Sequence, residues 1–96
     1  MQCSKCDTDL GDMNTRIAFI CLDIAGDERI DSYWLCKACG FYTLESYRDR
    51  FMGSTIVTVD DPIEQADGEA IVATLNACPD PNNKRCMCSV HKSMNR

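Results

Sequence analysis

The stretch Asp31-Ser32-Tyr33-Trp34-Leu35-Cys36-Lys37-Ala38-Cys39-Gly40 decides how this chain folds. From Ile30 to Leu35, with Tyr33 and Trp34, it reads as a strand, and it ends in a C-x2-C pair followed by glycine. A second C-x2-C pair, Cys3 and Cys6, stands at the N-terminus, and a 29-residue stretch separates the two. Each pair is short enough to turn both sulfurs toward one point. Two such knuckles complete a tetrahedron of Cys3, Cys6, Cys36 and Cys39, the ligand set of a structural metal ion.

Between the knuckles, residues 15 to 24 are rich in Ile, Phe and Leu and have the length of a strand. The acidic turn Gly26-Asp27-Glu28 follows, so the chain returns as a hairpin that delivers Cys36 to the site. After Gly40, the run Phe41 to Phe51 reads as a third strand. Tyr42, Leu44 and Ser46 fall on one face, and Phe41, Thr43, Glu45 and Tyr47 on the other. A helix capped by Thr43 is the competing reading there. Gly53 and Ser54 mark a break, and the β-branched Thr55-Ile56-Val57-Thr58-Val59 reads as another strand.

Beyond it, Asp61-Pro62-Ile63-Glu64 has the form of a capping box, and apolar residues from Ile63 to Ala77 recur at helical spacing. Gly68 weakens the middle of that helix by about 1 kcal/mol relative to Ala. Pro79 ends it and hands over Cys78. The remaining donors crowd into C-x7-C-x-C-x2-H, formed by Cys78, Cys86, Cys88 and His91. Prolines 79 and 81 with Asn82 and Asn83 make a turn able to bring Cys78 back toward Cys86. Three thiolates and an imidazole suit borderline-soft zinc. Cys21, left over in an apolar run, reads as core filler.

The expected fold is therefore small α+β, with a metal-binding ribbon over residues 1–52 and a strand, helix and metal-knotted tail over 53–96. The pattern Cys3-x2-Cys6 … Cys36-x2-Cys39-Gly40, with a hairpin between and a strand after, resembles a zinc ribbon. The resemblance implies that these four cysteines hold a structural zinc and are not catalytic. It leaves the role open, because ribbons serve transcription factors, ribosomal proteins and enzyme subunits alike. The segment 31–40 and the knuckle separation are also similar to rubredoxins, which hold iron and carry electrons. Asp7 stands where those have glycine, and Lys37 where they usually have proline. These departures imply fewer N–H···S bonds and favour zinc over iron. The C-terminal donor group resembles no family.

Composition bounds the function. The chain has 96 residues, eight Cys and one His, which excludes chemistry that needs two histidines. Apolar runs fall short of the roughly 20 residues of a membrane span. The start Met-Gln-Cys-Ser-Lys-Cys lacks the apolar core of an export signal, so reduced thiols and a cytoplasmic setting are expected. Residues 1–78 carry six Lys/Arg against fourteen Asp/Glu, while 79–96 carry four Lys/Arg and one Asp. Metal-bound thiolates add negative charge, taking the whole from a formal −5 to about −8. Such a body repels nucleic acid.

All seven aromatic residues lie between Phe19 and Phe51, and a ribbon cannot bury both faces alone. An exposed aromatic surface for a protein partner is one expectation, and core packing beneath the helix is the other. The leading reading is thus a non-catalytic two-zinc accessory subunit or adaptor that docks on a larger protein or enzyme complex. A rubredoxin-like electron carrier and a nucleic-acid-binding ribbon are the alternatives.

Overall fold

The computed structural model describes residues 1–24, 26–50, 53–84 and 86–94. Four strands follow one another along the chain and in space: β1 (Ala18–Ile24), β2 (Asp27–Leu35), β3 (Tyr42–Asp49) and β4 (Thr55–Val59). All neighbours are antiparallel, the arrangement that short hairpin connections allow. In the first hairpin Ile24 opposes Asp27, and Gly26 turns the chain at φ 92°. The Phe51 end of the expected third strand lies outside the described residues. The competing helix from Thr43 does not form, since Thr43 sits within β3 opposite Trp34.

Alternation along the strands gives the sheet two unlike faces. Ala18, Ile20 and Leu22 of β1 share one face with Tyr33 of β2 and Tyr42 of β3, and all five are buried. Helix α1 (Gln65–Asn76) covers this face, adding Leu75 to the core, with Ile71 and Val72 partly buried against it. The same face carries polar groups toward its far end. Asp31 accepts from Arg29 Nη2 at 3.2 Å and Ser46 Oγ at 2.9 Å, and Arg48 grips Asp27 through Nε and Nη2. At the knuckle end of the opposite face, Trp34 is buried and donates from Nε1 to Asp12 O at 3.0 Å.

The expected capping box is not used. Ile63 exchanges both backbone hydrogen bonds with Tyr42, at 2.8 and 3.0 Å, which keeps residues 61–64 extended. The helix therefore starts at Gln65, and Glu64 at its N-cap makes no side-chain bond. Pairing along β3 wins over the local helix signal because it satisfies two backbone groups at once. A six-residue helix, α2 (Ser89–Met94), follows the last cysteines and was not foreseen from the spacing.

Gly68 has a structural reason to stand in α1. A Cβ there would lie 2.1 Å from Cδ1 of the buried Tyr42 ring, so the helix approaches the sheet only through a glycine.

Candidate metal centres

The first knuckle leads off a small hairpin, with Gln2 bridged to Asp9 and Leu10 N–H donating to Met1 O. The second knuckle joins β2 to β3. Both follow one backbone plan. Asp7 N–H donates to Cys3 O at 3.0 Å and Gly40 N–H to Cys36 O at 2.7 Å. Cys3 N–H donates to Thr8 O at 2.8 Å and Cys36 N–H to Phe41 O at 2.9 Å. The residue after each second cysteine has positive φ, 62° at Asp7 and 79° at Gly40. Asp7 thus performs glycine's task in the first knuckle, as aspartate can at some cost.

This repetition brings four sulfurs together. Cys3 Sγ lies 3.6 Å from Cys39 Sγ, and Cys6 Sγ lies 3.6 Å from Cys36 Sγ. Four sulfurs held about 2.3 Å from one zinc would stand about 3.8 Å apart, so the spacing fits a tetrahedral ion. Thr43, fully buried in β3, fastens the first knuckle to the sheet. Its hydroxyl accepts from Ser4 N–H at 3.0 Å and meets Ser4 Oγ at 3.2 Å.

The backbone N–H groups of Cys6 and Lys5 favour the Cys3 thiolate and hold it below its ordinary value despite burial.

The second group is gathered by α1, the turn after it and α2. Cys78 Sγ is 3.9 Å from Cys86 Sγ and 3.4 Å from Cys88 Sγ. His91 Nδ1 lies 3.1 Å from Cys78 Sγ and 3.4 Å from Cys88 Sγ. Its other nitrogen, Nε2, sits 3.0 Å from the main-chain oxygen of Cys21 in β1. A carbonyl only accepts, so Nε2 carries the proton and the bare lone pair of Nδ1 faces the thiols. That is the outer-shell arrangement by which metal-ligating imidazoles are oriented. In each group the four donor atoms all lie within 4.8 Å of one another.

The thiols ionise unequally. The Thr8 hydroxyl, 3.1 Å away, and the Thr8 N–H pull Cys6 down to about 6. The His91 N–H, 3.4 Å from Cys88 Sγ, pulls Cys88 down to about 6. Burial pushes Cys78 up to about 11. At Cys39 the Phe41 N–H favours the thiolate, but burial and the neighbouring thiols outweigh it and push the group up to about 12. The first cluster thus sets the lowered Cys3 and Cys6 beside the raised Cys39, and the second sets the lowered Cys88 beside the raised Cys78. A divalent cation removes the mutual repulsion that keeps the raised thiols protonated.

All eight residues expected at metal sites are brought together in two groups of four. Sequence reasoning missed the supports: Thr43, Ser4 and the Cys21 backbone. Only the place of Thr43 in the alternation of residues 41–47 and the apolar setting of Cys21 hinted at them. Cys21 itself is buried, its thiol 3.6 Å from Asn82 Oδ1, and burial raises its pKa as expected of core filler.

The donor sets define a small α+β protein with two groups able to hold metal ions. No protein-family model matches the chain, and neither curated proteins nor solved structures give a match. No helix among the described residues is long and apolar enough to cross a membrane.

Proposed function

We propose that this chain is a non-catalytic zinc protein in which Cys3, Cys6, Cys36 and Cys39 hold one ion and Cys78, Cys86, Cys88 and His91 hold another. The observation that carries the reading is that each group brings four donor atoms within 4.8 Å of one another. A catalytic zinc keeps one position open for water or substrate, and neither group leaves one. When bound, each ion supplies charge neutralisation and a cross-link. The chain's own part is to present the sulfurs, hold His91 in one tautomer and support the thiolates with N–H donors.

The biological role we propose is that of an accessory subunit or adaptor on a larger protein. The aromatic residues divide between core and surface. Tyr33, Trp34 and Tyr42 are buried, while Phe19, Phe41 and Tyr47 are half-buried. Arg16 lies 3.8 Å from the Phe19 ring centre and Lys5 lies 4.1 Å from that of Phe41. Tyr47, with Ile30 and Val57 beside it in register, is left to the open sheet face as a partner surface. Phe51 lies outside the described residues, as do Arg85 and Arg96 of the basic tail. The acidic body speaks against nucleic acid.

Metal analysis of protein from its native host, with an absorption spectrum, tests the reading. Two zinc ions per chain and a colourless solution support it, whereas bound iron at one per chain with thiolate-to-iron bands would replace it. That second reading, a rubredoxin-like carrier, is favoured by the matched knuckles. Co-purification of a stoichiometric partner tests the adaptor role.

A further inference from the structure

The two edges of the sheet are finished differently. At β1 the outward backbone groups of Cys21 are both engaged, its N–H by Pro81 O at 2.8 Å and its carbonyl by His91. The second donor group and the turn before it therefore cap the middle of this edge. At β4 nothing comparable is found among the described residues. Asp60 N–H donates to Leu44 O at 3.1 Å, which sets the ladder phase. Thr58 and Ile56, opposite Ser46 and Arg48, bond inward to β3, and the N–H and C=O groups of Thr55, Val57 and Val59 point outward. No described group bonds to them.

Exposed edges are usually blunted by lysine, proline or a bulge. Residues 55–59 contain neither residue type, are all β-branched, and pair with β3 without interruption. Ile56, Val57 and Val59 are 42, 56 and 49% exposed.

We propose that β4 pairs with β4 of a second copy of this chain, antiparallel about a two-fold axis at Val57. The outward groups fall at 55, 57 and 59, symmetric about 57, so this one register satisfies all of them. Thr55 meets the partner's Val59, Val57 meets the partner's Val57, and Val59 meets the partner's Thr55. The row of Ile30, Tyr47 and Val57 then continues through the axis into its own copy, joining two apolar strips on the open face. Charge agrees with the antiparallel sense. Arg50, just before β4, stands at its beginning, where Arg48 is already paired with Asp27, while Asp60, Asp61 and Glu64 lie just beyond its end. A two-fold axis sets each basic end beside the partner's acidic end. One strand per copy is a small contact, below the roughly 1,200 Å² of standard interfaces, so the dimer is concentration-dependent.

Sedimentation of the metal-loaded full chain over a concentration series, with amide exchange at each concentration, tests this. The expected result is a monomer–dimer equilibrium in which the amides of Val57 and Val59 gain protection with concentration, while those of Ile56 and Thr58 are protected throughout. Val57→Pro removes an outward N–H from each copy and leaves the β3 ladder intact, so it weakens association by about tenfold or more. Val57→Lys, which keeps the N–H and the fold, weakens it as well by placing two like charges at the axis. A chain that stays monomeric at every concentration overturns the proposal. So does a dimer in which residues 57 and 59 exchange freely, or one indifferent to both substitutions.

Discussion

Replacing His91 separates two functions that the structure assigns to one imidazole. Nδ1 faces Cys78 and Cys88, and Nε2–H bonds to Cys21 O in the buried edge of β1. His91→Cys keeps four metal donors but loses the Nε2 bond, whereas His91→Ala loses both. A buried carbonyl left without its donor costs about 1–3 kcal/mol, and loss of an outer-shell contact costs about 10–100-fold in metal affinity. The two ranges agree, because each tenfold corresponds to about 1.4 kcal/mol. His91→Cys is therefore expected to bind the second ion about 10–100-fold more weakly, and His91→Ala more weakly still. Both should leave the first site unchanged, since the two donor sets share no residue. Chelator competition that resolves the two ions provides the assay, with exchange at backbone amides of β1 as a second readout. If His91→Cys binds the second ion as tightly as the native chain, the bond to Cys21 O does not contribute, and the coupling of metal to sheet edge is wrong.

Three further outcomes follow from the packing. Gly68→Ala gains about 1 kcal/mol of helix propensity but drives a methyl into the buried Tyr42 ring, where overpacking costs about 1–3 kcal/mol or more. A lower urea midpoint is expected, partly restored by Tyr42→Leu, and a raised midpoint would discredit the close approach. Asp7→Gly should stabilise the metal-loaded chain by up to about 1 kcal/mol, while Gly40→Ala should destabilise it, because the same turn is strained for one residue and relaxed for the other. Equal thermal shifts of the same sign would contradict the matched knuckles. Burial pushes the Tyr33 phenol from 10 up to about 12, so the folded chain holds a proton that the unfolded chain sheds above 10. Stability from this group is complete below pH 10 and is lost as pH rises toward 12. Tyrosinate absorbance from Tyr33 should therefore appear together with unfolding, and its appearance near pH 10 in a native sheet would refute the assignment.

The strands were legible because their signals are local and strong. Alternation in 41–47 sorted Tyr42, Leu44 and Ser46 from Thr43, Glu45 and Tyr47, and β-branching marked Thr55–Val59. The donor groups were legible because thiol spacing restricts geometry so tightly. The helix start was not, since Asp61-Pro62-Ile63-Glu64 carries a good local cap that a non-local bond pair with Tyr42 overrides. Gly68 read as a weakness until its neighbour across the core was known. The positive φ at Asp7 was not legible either, because that position usually belongs to glycine and an aspartate there takes the angle from the knuckle's backbone bonds. For the helix start and for Gly68 the missing information was a partner far along the chain.

The two donor groups do different work for the fold, and their surroundings say which loss matters more. The first ties residues 3 to 39 and pins an N-terminal arm onto Thr43 and Trp34 at one end of the sheet. The second is continuous with the hydrophobic core. Cys78 and Val90 are buried among Ala18, Ile20, Leu22 and Leu75, and Cys86 and Cys88 pack against them. Without an ion there, the last segment has a two-turn helix and few backbone bonds to hold it, and helices so short are not stable alone. Its release would uncover both the core side of β1 and the outward groups of Cys21. Emptying the first site should therefore loosen an arm, whereas emptying the second should open the sheet at its capped edge and leave the chain with two bare edges in place of one.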